Sequence, residues 1–171
     1  AHLIPEPLVS DQLIRWAELT TFTPAMRTHT LPASSPASLQ ANKDVLFQIS
    51  RLTKLRFLLA PYISHCIEEY MLAGAPPMRH MWEAYPTLDR AENISDQFML
   101  GNELLVAPVV VAGQKSRLVV FPGDDEWVHL LSGEAYEPGT RKVDAPLDLR
   151  VSRLQSPLII QKFLNDQRAK E

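Results

Sequence analysis

A single cysteine in 171 residues excludes an internal disulfide and any cluster held by several thiolates. Cys66 stands among Ile63, Ile67 and Tyr70, a setting that predicts a buried, inert thiol. Glycine is missing from the first 73 positions, so tight hairpins there are improbable and helices with proline-fixed turns are expected. Basic charge is also short. Seventeen Lys and Arg against 20 Asp and Glu give a net charge of −3, and with no basic run the chain has no footprint for nucleic acid, which is dropped as a partner. No apolar run approaches the roughly 20 residues that span a bilayer, and "AHLIPEPLVSDQ" at the N-terminus has no charged region followed by an apolar one. No membrane segment or signal is therefore expected, and a lone Cys favours a cytoplasmic setting. The abrupt opening also suits a piece of something longer. A mean hydropathy of −0.10 belongs to an ordinary soluble globular protein, long enough for one domain or two small ones.

What is present divides near residue 75. Ser10, Asp11 and Gln12 read as a helix start, with Leu13, Trp16, Ala17 and Leu19 as its apolar stripe. Pro24 requires that helix to end before it, and Thr21 to Thr28 reads as a short strand. "TLPASSPASLQAN", residues 30–42, is a turn-rich loop. From Lys43 to Ala73 apolar residues recur every three or four positions. Pro61 interrupts them and predicts a kink or two abutting helices, and Gly74 predicts the C-terminal cap. The remaining glycines, at 101, 113, 123, 133 and 139, cut the chain at hairpin spacing. "MRHMWEAY", "QFMLG", "ELLVAPVVV", "SRLVVFP", "EWVHLLSG", "TRKVDAP" and "SPLIIQKF" are short strand-like runs that suggest an antiparallel sandwich or meander.

The residues alone assemble no active site. There is no glycine-rich phosphate loop and no His-x-x-x-His or Cys-x-x-Cys pair, so neither a metal nor a cofactor is expected. Ser64, His65 and Cys66 are neighbours on a helix and therefore point apart rather than forming a nucleophile and its base. His80 reads as a packed or surface strand residue. "PGDDEW", residues 122–127, reads as a turn carrying solvated carboxylates rather than a metal loop. The carboxylates Glu83, Asp89, Glu92, Asp96 and Glu103 are in turn-like contexts, and none is paired by a motif as acid–base work by two carboxylates would need.

Residues 95–109, "SDQFMLGNELLVAPV", resemble a segment of glycoside hydrolase family 31, the α-glucosidase, α-xylosidase and sulfoquinovosidase family. "LRFLLAPYI" (55–63), "GAPPMRHMWEAYP" (74–86) and "EWVHLLSGEAYEPG" (126–139) resemble the segments on either side, so the likeness covers about residues 10–160. It implies a chain of mixed class, α/β plus all-β: the end of a (β/α)8 barrel, its last strand and helices, over 1–74, then an antiparallel β-sandwich domain over 75–171. It implies a C-terminal part of a retaining hydrolase of α-glycosidic bonds, with no catalytic residue in this chain because the family's two aspartates lie on earlier barrel strands. Arg15-Trp16 and the run Phe22, Pro24, Arg27, His29 resemble the helix and closing strand of that barrel. By that likeness His29 contacts the sugar and Arg27 braces the rim. The implied partners are an α-glycoside and the N-terminal remainder of the enzyme, possibly as a separate chain. "RWAELTTFTPAMRTH" and "EWVHLLSGEAY" lean towards the sulfoquinovosidase-like branch. "TLPASSP" after His29 and Gln155 depart from the family pattern. A non-catalytic carbohydrate-binding or structural module is the alternative, although Trp16, Trp82 and Trp127 fall on separate elements and read as packing residues.

Overall fold

The computed structural model describes residues 10–27, 43–145 and 159–162. Two helices lead. α1 runs Ser10–Thr21 and α2 runs Lys43–Ala73, followed by β1 (Met78–His80), a one-turn helix α3 (Met81–Ala84) and a 3-10 turn at Ala91–Asn93. Strands complete the order: β2 (Phe98–Leu100), β3 (Leu104–Val106), β4 (Ser116–Phe121), β5 (Trp127–His129), β6 (Ala135–Tyr136), β7 (Gly139–Asp144) and β8 (Ile159–Lys162).

α1 starts and stops where Ser10 and Pro24 require, but its inward face differs from the expected stripe. Ile14, Arg15, Ala17, Glu18 and Thr21 are buried, whereas Trp16 is 48% exposed. The expected strand over Thr21 to Thr28 is not formed in its described part. Phe22 and Thr23 donate their N–H groups back to Leu19 O (3.1 Å) and Thr20 O (3.3 Å), so the helix tightens into a turn, and residues 25–27 join no ladder. α2 is one continuous helix of 31 residues with Pro61 in its interior, not two abutting helices. Pro61 sits on the exposed side. Gly74 ends α2 at φ 73°, donating to Tyr70 O at 2.9 Å.

"MRHMWEAY" divides into three strand residues and a helical turn, because His80 Nδ1 accepts from the Trp82 N–H (3.3 Å) and caps α3 instead of continuing the strand. Trp82 is thereby left 54% exposed, so of the three tryptophans only Trp127 is a packing residue.

Six strands form one sheet in the order β1-β2-β3-β8-β5-β6, and β4 pairs with β7 in a second. Every pairing is antiparallel, with Met99 opposite Leu105 and Leu105 opposite Ile160. The last described strand fills the middle of the larger sheet. The sheets face each other across Met99, Leu105 and Trp127 on one side and Val119, Phe121 and Val143 on the other. Phe121 stacks on Tyr136 at 5.0 Å between ring centroids. The opposite face of β2 and β3 presents Leu100, Leu104 and Val106 to Ile63 of α2 and to Phe22. Coverage on both faces explains why Leu104, Leu105 and Val106 are all buried instead of alternating.

Candidate functional site

The segment that leaves α1 is held from two directions. Phe22 is fully buried between α2 and the larger sheet, which contributes about 1.5–3 kcal/mol of apolar burial. From α2, the Arg56 guanidinium reaches the end of α1. Its Nη1 donates to Thr21 O (3.0 Å) and to Thr23 O, and its Nη2 donates to Pro24 O (2.8 Å). These carbonyls lie at or just past the helix end, where no intrahelical donor remains, and the cation suits the negative end of the helix dipole. Burial pulls the Arg56 pKa below its ordinary value, though a guanidinium stays charged. Thr23 Oγ1 lies within hydrogen-bond distance of both Thr20 O (2.9 Å) and Ala25 O (2.8 Å), closing the turn. Arg27 follows, exposed. His29 lies outside the described residues, as do "TLPASSP" and Gln155.

The stretch 95–109 is a set of structural staples. Arg117 of β4, buried, donates to Asp96 O (2.8 Å) and Pro108 O (2.6 Å) and pairs with the Asp96 carboxylate at 2.6 Å. The Gln97 amide mimics a peptide against β4: its Nε2 donates to Val120 O (2.8 Å) and its Oε1 accepts from the Val120 N–H (2.9 Å). Gly101, at φ 60°, lets the chain pass under α2, where an added Cβ would stand 2.3 Å from the Tyr62 hydroxyl and 2.7 Å from Cys66 Sγ. The Tyr62 hydroxyl donates to Leu100 O (2.8 Å) and accepts from the Glu103 N–H (3.2 Å). Burial pushes both the Tyr62 phenol and the Cys66 thiol above their ordinary pKa values.

Arg15 is buried and joins α1 to the strand region. It donates to Ala145 O (2.7 Å), Gln114 O (3.2 Å) and Glu18 Oε2 (3.3 Å). Asp11 Oδ2 accepts from the Gly113 N–H (2.6 Å) beside it. Ser64 and His65 are exposed while Cys66 points inward, and His65 lies 3.8 Å from Glu69, so the three form no nucleophile–base set. Residues 122–127 turn at Gly123 (φ 74°). Among the described residues no three His, Cys, Asp or Glu side chains converge as a metal site would require. No described helix is long and apolar enough to cross a membrane.

A helix-covered antiparallel sheet, stapled to β4 through Asp96 and Gln97, defines a β-domain. The family model for the glycosyl hydrolase family 31 C-terminal domain matches residues 74–162, more than half of the chain. The chain belongs to glycoside hydrolase family 31. A sulfoquinovosidase of Agrobacterium fabrum is 35% identical over 142 residues, 81% of this chain and 21% of that protein. A sulfoquinovosidase of Escherichia coli is 30% identical over 140 residues, 80% of this chain and 20% of that one. Among solved structures, a family 31 sulfoquinovosidase from E. rectale with an aza-sugar inhibitor superposes with a TM-score of 0.80 at 28% identity, covering 98% of this chain and 24% of that one. An α-xylosidase from a soil metagenome, with a TM-score of 0.74 at 24% identity over 96% of this chain and 26% of that one, shares the fold. The chain thus spans about a fifth of the length of the curated relatives it matches.

Proposed function

We propose that this chain acts as the C-terminal part of a retaining α-glycoside hydrolase, with one wall of the sugar site in residues 1–74 and a supporting β-domain in residues 75–171. The family match over 74–162 carries the reading. On it, the segment after α1, which joins no ladder among the described residues, becomes the closing strand of a (β/α)8 barrel once an upstream strand pairs with it, and α2 is the last barrel helix. The C-terminal ends of such strands carry the active site, and the family likeness puts Arg27 and His29 at that end. His29 hydrogen-bonds a sugar hydroxyl and Arg27 braces the rim. The nucleophile and the acid/base carboxylates come from the upstream barrel, so this chain alone does not cleave.

A second apolar face on α2 supports an upstream partner. The inward face carries Val45, Leu52, Ile63 and Cys66. At about 100° per residue, Leu46, Phe57 and Met71 lie about 120° to one side of that face and Phe47, Leu58 and Leu72 about 140° to the other, so the two rows flank the side turned away from the sheet. All six are exposed, Phe57 at 78% and Leu72 at 89%. A helix apolar on two opposite faces belongs between two bodies. The first body is the β-domain. We assign the second to the upstream barrel.

The relatives named sulfoquinovosidase make an α-glycoside of a sulfonated sugar the first substrate to try. The test is to combine the chain with an upstream barrel chain, confirm a stable complex, and assay aryl α-sulfoquinovoside, α-glucoside and α-xyloside cleavage. Cleavage with retained anomeric configuration is expected. A stable complex inactive on all three, together with calorimetric sugar binding by the chain alone, would replace this reading with that of a binding module.

A further inference from the structure

We infer that Arg56 is a positioning residue for the sugar site: by gathering the carbonyls of Thr21, Thr23 and Pro24 on one guanidinium, it fixes the direction in which the chain leaves α1 and so where Arg27 stands. The inference rests on the site proposed above. After Thr21 the backbone loses its helical ladder, and residues 25–27 gain no strand partner among the described residues. Between Phe22, locked in the core, and Arg27, exposed, the backbone is restrained chiefly by the Arg56 fork and the Thr23 hydroxyl. A planar guanidinium can serve carbonyls at three fixed directions, whereas an ammonium on a flexible stem cannot hold the same set. Arg56 needs no contact with sugar. It acts through the segment it clamps, and a displacement of about 1 Å at a contacting residue can lower turnover a hundredfold.

Two measurements test this. In the 171-residue chain, Arg56→Gln should speed amide exchange at Phe22 and Thr23, whose N–H groups close the clamped turn, by roughly tenfold while leaving the amides of α2 from Val45 to Leu55 unchanged. In the reconstituted enzyme, Arg56→Gln should lower kcat/KM by roughly tenfold to a hundredfold, with Arg56→Lys intermediate. Combined with Arg27→Ala and His29→Ala, it should add nothing beyond what those two lose together, because it works through them. Unchanged exchange at Phe22 and Thr23, or fully additive losses, would overturn the inference. If Arg27→Ala and His29→Ala are both silent while exchange still rises, the clamp stands but the sugar site proposed above fails.

Discussion

Gly101 is the residue on which the contact between α2 and the sheet depends most sharply. Its φ of 60° is one that a side chain adopts at a cost of about 1–3 kcal/mol, and a methyl there would meet the Tyr62 hydroxyl at 2.3 Å. Gly101→Ala should therefore lower stability by more than the backbone strain alone, read as a drop in the urea midpoint. Restoring space with Tyr62→Phe should recover part of the loss and no more, since that change strands the Glu103 N–H. The same contact sets an alkaline limit. The Tyr62 and Cys66 pKa values are raised in the folded chain, so above their ordinary values the unfolded state holds fewer protons than the native one. Stability from these groups is complete below about pH 8.5, declines once the unfolded thiol and then the unfolded phenol ionise, and is gone above the folded pKa values. Thermal melts between pH 8 and 11 should show that fall, and a Tyr62→Phe, Cys66→Ala variant should show a flatter profile. An unchanged slope would mean that other groups control the limit.

At the scale of elements, α1 is joined to the strand region by a polar clasp. Arg15 is buried with Glu18 beside it, and its guanidinium donates to the carbonyls of Gln114 and Ala145. Arg15→Met removes the cation beside Glu18 and the donors that serve the Gln114 and Ala145 carbonyls, at a cost of about 1–3 kcal/mol for each buried acceptor left without its donor. The chain should lose a large part of its stability in chemical denaturation, and adding Glu18→Leu should recover at most a part of the loss, because the Gln114 and Ala145 carbonyls still lack their donor. This clasp also marks the limit of what periodicity reveals. The spacing of Leu13, Trp16 and Ala17 places the helix but gives its inward face only in part: Ala17 is buried, yet the rest of that side is built from Ile14, Arg15, Glu18 and Thr21, and Arg15 is held there by carbonyls 99 and 130 residues away. Gly74, Gly101 and Pro24 were legible as boundaries because backbone conformation is a local property. The His80 cap was not legible, since a single side-chain acceptor decided between strand and helix. Of the candidate site, Arg27 and His29 could be named only through a family motif. Arg56 was hidden among the cations of a long helix, with no local signal that it would face three carbonyls.

For the whole molecule, the decisive feature is a helix with two apolar faces. One face packs Ile63 against Phe22 and Leu100, and its loss should unfold the chain: Leu52→Ala, on that side, should cost about 2–5 kcal/mol. The other face stands open. Phe57, Leu58, Met71 and Leu72 form no buried contact that the chain's own stability needs, so charges there should shift its melting by no more than about 0.5 kcal/mol. On the reading of α2 as the last barrel helix, those positions meet the upstream part of the enzyme, and a carboxylate at each would have to be desolvated on docking. Phe57→Glu with Leu72→Glu should leave the isolated chain folded and more soluble, yet abolish its association with the upstream barrel in sedimentation velocity and, with it, glycoside cleavage. Leu52→Ala should instead lower both the melting temperature and association. The opposite pattern, with association intact after the two surface charges, would place the upstream body elsewhere and leave the open face of α2 without a role in assembly.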